Sequence, residues 1–262
     1  MDYHLKSIEA AAARGGYLPA HGHAVTAPDC TQPAEHYGCG TEASGLVLAL
    51  CRAMAAQVPP AQAQAPADQT AEFLRQYQAM PRLIVPVSSG GAVVLIVKFT
   101  DYQCPACAAT HRLYRPVLEK YEAQFAGAVK LVTKDFALNK DCNAWLVQTM
   151  HEAGCDAAAA VALARAQNRG AEMEDWLYAN QELLTPASVR KAAEVVGNVQ
   201  DFAAGYTRVI GQIKADAALG RLLNVTSTPT FFINGVKIDV VLQPELFDAA
   251  IAYELRRAGK MK

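Results

Sequence analysis

The stretch VVLIVKFTDYQCPACAATH, residues 93–111, changes character halfway along. Its first half belongs to an apolar run, Ala92 to Thr100, rich in β-branched side chains and interrupted only by Lys98, which is the pattern of a buried strand. After Cys104 the apolar period becomes helical and stays so to about Phe125. Cys104 and Cys107, separated by Pro105 and Ala106, therefore fall where a strand hands over to a helix. Thiols at that spacing close a small disulfide ring with little backbone movement, and the ring can be opened again. Cys104 lies where the unpaired amides and the macrodipole of the helix favour negative charge, so its thiolate is favoured. Cys107, one turn further in, is shielded and is the resolving thiol. A fall of two units from about 8.5 would favour the Cys104 thiolate by roughly 2.7 kcal/mol. Such a sulfur is reactive at neutral pH and is also a good leaving group.

Outward from this stretch, Leu83 to Val87 reads as a further strand, joined to the buried one through the turn Ser88-Ser89-Gly90-Gly91. Val129 to Asp135 reads as another strand and completes a β-α-β unit. A long helical region follows. Asp156 can cap a helix that Gly170 ends, Thr185 with Pro186 opens a second that Gly197 closes, and Asp201 opens a third toward Leu223. The chain returns to strand at Thr230 to Ile233, turns at Asn234-Gly235, and pairs back over Val236 to Val240. A last helix runs from near Pro244 through Leu255, and no internal repeat is present. The expected class is α/β.

The 262 residues hold 24 Lys and Arg against 25 Asp and Glu, so the chain lacks the basic excess that drives binding to phosphate backbones, and nucleic acid is not an expected partner. No window reaches the 18 or more uninterrupted apolar residues of a membrane-spanning helix. The nearest approach, Gly45 to Val58, is broken by Arg52 and followed by PPAQAQAPA, which has the small residues of a signal-peptidase site. It reads as an export-related segment with a start other than Met1, or as an amphipathic or anchoring helix. Residues 1–81 as a whole read as appendage and linker, with a short helical stretch at Thr70 to Met80, and residues 82–262 as the folded domain. Within the appendage Cys30, Cys39 and Cys51 accompany His4, His21, His23 and His36, an order that fits no standard zinc spacing; a Cys30–Cys39 disulfide is the other option there.

A CxxC pair can also be half of a zinc site, which would need a second ligand pair, and the domain contains none. No metal is therefore expected, and exchange through the Cys104 and Cys107 thiols needs no bound organic cofactor. Cys142 and Cys155 bracket a loop and are expected to form a structural disulfide, with two buried free thiols as the alternative. Closing a loop of about a dozen residues would contribute roughly 3 kcal/mol, and such a bond persists in an oxidising compartment. His111 lies four residues after Cys107 and either tunes the dithiol or packs. Tyr102, Trp145 and Trp176 are candidates for a peptide groove, with core packing as the alternative for the tryptophans.

With VVLIVKFTDYQCPACAATH followed much later by TSTPTFFING, residues 226–235, the chain resembles the thioredoxin superfamily and, within it, the DsbA-like thiol-disulfide oxidoreductases. The likeness covers about residues 82–260 and rests on four features in order: buried strand, CxxC, helical region, and Thr-Pro leading into a strand hairpin. It implies a thioredoxin-like fold with a helical insertion between a β-α-β half and a β-β-α half. It also implies disulfide exchange with protein substrates and action in the periplasm or otherwise outside the cytoplasm. In that family the proline opening the second strand pair is cis and faces the dithiol, which here is Pro229, and the backbone of Thr228 would pair with an extended substrate segment. The family often has an acidic residue six positions before the first cysteine, and this chain has Lys98 instead. Facing the dithiol, that ammonium would favour the thiolate and make the disulfide more oxidising; its other orientation is outward to solvent. Proline after the first cysteine resembles the oxidising members, so an oxidase is the expected direction. A reductase or isomerase of the same fold, a metal-binding module using the dithiol, and a peptide-binding domain with a vestigial dithiol are the competing readings. Similar domains occur fused to vitamin K epoxide reductase-like membrane proteins, so a membrane redox partner belongs to the expectation.

Overall fold

A computed structural model describes residues 66–262. The Gly45–Val58 run and Cys30, Cys39, Cys51, His4, His21, His23 and His36 lie outside the described residues. The sheet is built on β1, Val94–Thr100, which pairs in parallel with β2, Val129–Asp135, from Val94 opposite Val129 to Thr100 opposite Asp135. On its other edge β1 pairs antiparallel with β3, Thr230–Ile233, and β3 turns back into β4, Val236–Ile238, for the order β2-β1-β3-β4. The turn residues Asn234 and Gly235 have φ of 44° and 85°, the left-handed pair that a two-residue hairpin of this hand requires.

Side chains alternate across β1 with the period of two that a strand dictates. Val94 and Ile96 join a core with Tyr114 and Tyr121 of α2, Pro105–Gln124, and with Phe247 and Ile251 of α7, Pro244–Arg257. Val97 and Phe99 enter a second core on the opposite face with Phe136, Ala217 and Phe232. Lys98 shares the face of Val94 and Ile96 and so points toward the α2 side. Between β2 and β3 lie α3, Gly154–Arg165, α4, Gly170–Ala179, a 3-10 turn at Gln181–Leu183, α5, Pro186–Val195, and α6, Phe202–Leu222. Their core, dominated by Ala157 to Val161 with Met173, Leu177, Val189 and Ile213, is continuous with Tyr102, Cys104 and Cys107. This is the α/β arrangement with a helical insertion between its two halves that the sequence predicts.

The local signals that hold are those with a hydrogen bond behind them. Thr185 caps α5 in a reciprocal box with Ser188, Pro186 fills the first turn, and the Asp201 carboxylate caps α6 by accepting from Ala204 N–H at 3.0 Å. Three readings differ. Leu83 to Val87 forms no strand: pairing stops after one bridge from Arg82 to Val236 and the bond from Leu83 N–H to the Gly235 carbonyl at 2.9 Å. Pro86 lacks an N–H to continue the ladder, and Ile84 points into solvent. Gly170 opens α4 rather than closing α3, because the break is made by Asn168 at φ 57°, and a Cβ at Gly170 would fall 2.3 Å from Arg165 Cγ. Asp156 sits inside the first turn of α3 and pairs with Arg190.

The helix expected in the linker is α1, Pro66–Ala79. It drives the fully buried Tyr77 into the α7 side of the core, where its hydroxyl donates to the Ile233 carbonyl at 3.2 Å and to Glu254 at 3.1 Å. The folded domain thus recruits a helix that precedes residue 82.

Candidate active site

Cys104 is the N-cap of α2, with extended φ and ψ of −75° and 119° and Pro105 in the first helical turn. Both cysteines of the pair are buried thiols, Cys107 completely. The Cys104 thiol donates to the Thr228 carbonyl at 3.2 Å, and the peptide that follows, Thr228–Pro229, is cis. The structure therefore brings Cys104, Cys107, Thr228 and Pro229 to one place from opposite ends of the domain. The Cys104 thiol is pulled down to about 5, chiefly by the hydrogen bond that Cys107 offers its thiolate. Burial opposes this, and Thr228 and the backbone amides of Cys107 and Ala106 add to it. Thr228 Oγ1 is buried without a hydrogen-bond partner, so its hydroxyl is available to donate to a Cys104 thiolate. Burial, then the bond to Cys104 and its charge, push Cys107 far up. One sulfur is an anion and the other a neutral thiol over the same pH range.

Lys98 is only 5% exposed, which settles its orientation: the ammonium does not leave for solvent. Its Nζ donates to the Tyr178 hydroxyl at 3.4 Å and stands 5.1 Å from the centre of that ring. The Tyr178 hydroxyl is 2.7 Å from Thr100 Oγ1, and Thr100 in turn favours ionisation of Cys107. Burial lowers the Lys98 ammonium, while Cys107, Glu174 and Cys104 pull it back up. Lys98 is thus coupled most strongly to the inner sulfur, Cys107, where it favours the thiolate. The same side chain forms part of the wall of a cavity of about 390 Å³ with His111, Tyr114, Leu118, Phe231 and Phe247.

A frame of polar side chains fixes the turn that carries the dithiol. Asp101, buried, accepts from Gln103 N–H and Leu138 N–H, both at 2.6 Å. Gln181 donates to the carbonyls of Tyr102 and Cys104 at 2.8 and 2.9 Å. Gln103 accepts from Ala153 N–H at 2.6 Å. Thr100, Asp101, Tyr178, Gln181 and His151 were not singled out in the sequence. Their partners lie tens of residues away, and only the acidic residue just before the CxxC turn carries a local signal. Cys142 and Cys155 are joined as a disulfide that closes the loop between β2 and α3.

The other candidates have their own partners. His111 meets Asp175 at 2.6 Å and packs 4.7 Å from the Tyr178 ring; burial first, against Asp175, lowers its imidazolium. Trp176 and Tyr102 are buried in the core of the insert, and Trp145 is exposed under the Arg221 guanidinium. Among the described residues no group of three or more His, Cys, Asp or Glu side chains is placed to hold a metal ion. No helix among them is long and apolar enough to cross a membrane.

Fold and site together define a thioredoxin-type dithiol protein. The family model described as thioredoxin matches residues 89–252, and the chain belongs to that family. Among curated proteins it is similar to "Na(+)/H(+) antiporter NhaA 3" of Salinispora tropica, 28% identical over 198 residues, covering 71% of this chain and 28% of that protein. It is also similar to "Na(+)/H(+) antiporter NhaA 1" of Mycobacterium sp. (strain KMS), 27% identical over 149 residues, covering 55% of this chain and 22% of that protein. The chain spans less than a third of the length of these relatives. Among solved structures, α-DsbA1 of Wolbachia pipientis shares the fold at 18% identity and a TM-score of 0.51, covering 64% of this chain and 88% of that one.

Proposed function

We propose that the protein is a thiol-disulfide oxidoreductase that exchanges disulfides with protein substrates through Cys104 and Cys107, working as an oxidase. The observation that carries this reading is the pairing of an acidic thiol at Cys104, surrounded by hydrogen-bond donors to its thiolate, with a buried neutral thiol at Cys107, beside the Thr228 carbonyl. In the oxidised protein a substrate thiolate attacks the Cys104 sulfur, the Cys104–Cys107 bond breaks, and Cys107 leaves and takes up a proton. A second substrate thiolate attacks the substrate sulfur of the mixed disulfide, and Cys104 leaves as the stable thiolate. The substrate gains a disulfide and the protein gains the two electrons. A low pKa at Cys104 makes the reduced state favourable and so makes the disulfide oxidising. The Thr228 backbone is the strand partner for an extended substrate segment, with Pro229 keeping the loop against the sulfur. Lys98 adds positive charge behind the pair. The reaction needs no bound organic cofactor, only a partner that removes two electrons from the reduced dithiol, for which a membrane redox protein is our choice. The Cys142–Cys155 disulfide favours a periplasmic or other extracytoplasmic site of action.

The test is capture with Cys107→Ala. Protein substrates should accumulate as mixed disulfides on Cys104, and the parent protein should oxidise a reduced model protein faster than it reduces insulin. Absence of mixed disulfides, or a potential as low as that of a reductase, would overturn the reading.

A further inference from the structure

The loop closed by Cys142 and Cys155 carries His151, and it is laced to the turn that carries Cys104. His151 Nδ1 is buried, makes no aligned hydrogen bond, and lies at ion-pair distance, 2.9 Å, from Asp101 Oδ1. The Asp101 carboxylate belongs to the residue three positions before Cys104 and is itself fixed by two backbone donors, Gln103 and Leu138. The backbone around His151 is held as firmly. Met150 and His151 N–H both donate to the Leu138 carbonyl, Asn139 donates to the His151 carbonyl at 3.2 Å, and Ala153 N–H donates to Gln103. Gly154 packs so closely that an added Cβ would stand 3.1 Å from Asp101 Oδ2.

The charges acting on His151 are Asp101 and the Cys104 thiolate, both from the β1–α2 turn; they favour imidazolium over the opposition of burial. On the sulfur itself the donors from Cys107 and Thr228 are the larger influences, so His151 is an increment to them and not their replacement. Pro105 and Ala106, between the two cysteines, carry no titratable side chain, and the loop brings one from outside the motif.

We propose that His151 is an electrostatic positioning residue for Cys104, clamped by Asp101 and by the Cys142–Cys155 loop, so that the structural disulfide contributes to the reactivity of the dithiol. The proposal rests on Cys104 being the nucleophile of the exchange reaction.

The experiment is a nuclear magnetic resonance titration of the His151 ring in the full chain, with Cys104–Cys107 reduced and then oxidised while Cys142–Cys155 stays intact. Linkage requires the His151 midpoint to lie about half a unit higher in the reduced protein, where Cys104 is an anion. Equal midpoints would overturn the proposal. In variants, His151→Gln should raise the pH midpoint of Cys104 alkylation by a similar amount, roughly a twofold loss of rate at the original midpoint and threefold well below it, and His151→Lys should restore it. Replacing Cys142 and Cys155 by Ala should raise the midpoint too, with no further rise on adding His151→Gln; additive shifts would remove the role of the loop. The two readings fail separately: without disulfide exchange the titration linkage persists, and without the linkage exchange can still proceed.

Discussion

The Cys104 sulfur lies 3.2 Å from the Thr228 carbonyl oxygen, although the two residues are 124 positions apart. The contact ties the start of α2 to the loop before β3, so the sulfur is held against that loop. Cys104 cannot be approached from that side without also meeting Thr228.

The first expectation concerns pH. With Cys104 pulled down to about 5 and Cys107 kept neutral, reduction takes up two protons below pH 5 and one above it. The reduction potential should therefore fall by about 59 mV per pH unit below pH 5 and by about 30 mV above it. The depressed thiol stabilises the reduced protein fully only above the ordinary thiol range and loses that contribution as pH falls through 5. At pH 7 it is worth about 3 kcal/mol, or roughly 60 mV. A single steep slope through pH 5 to 7 would contradict the assignment.

Removing the Lys98 charge tests the positive field behind the pair. Lys98→Met keeps the volume and the Tyr178 packing, and should lower the potential, by about 30 mV or less because the lysine acts more on Cys107 than on Cys104. Redox equilibration against glutathione measures it. An unchanged or higher potential would show that Lys98 serves packing alone.

Asp135, at the end of β2, is buried with Oδ1 unpartnered, and burial above all raises it to about 7. A raised carboxyl favours the neutral form in the folded state, so stability should decline as pH climbs from 4 through 7. Asp135→Asn should leave thermal stability near pH 4 unchanged and increase it at pH 8 by on the order of 3 kcal/mol. Calorimetric scans at the two pH values give the comparison, and an equal effect at both would refute the cause.

Glu254 has a completely buried carboxylate held by Arg82 at 2.7 Å, Tyr77 at 3.1 Å and Asn234 at 3.0 Å. Arg82→Met should destabilise by about 2 kcal/mol, because the partly exposed guanidinium is removed while the carboxylate stays in the core. Converting both residues to Met should recover part of that loss in urea denaturation. A larger loss in the double variant would reverse the argument.

Much of the fold was legible because its signals are short-range. The switch of period at Cys104, the cap at Thr185 and the Asn234-Gly235 turn each depend on residues within a few positions. Leu83–Val87 misled because β-branched content signals strand propensity but not the missing N–H of Pro86. Gly170 misled because its lack of a side chain answers the closeness of Arg165, not a turn. The dithiol was readable as two cysteines, and Lys98 as an oddity, but the chain from Lys98 through Tyr178 to Thr100 joins residues about 80 positions apart. Asp101 and His151 meet only after the insert has folded back on the turn.

Ala157 to Ala160 and Ala164 line a helix with almost no side-chain bulk in the middle of the insert. Neighbouring helices can seat backbone against backbone there, which leaves no slack for them to slide independently. A methyl-sized change at this seam would therefore act as a wedge among the helices of the insert. The seating of α3 against its neighbours is set by the smallest residues of the insert.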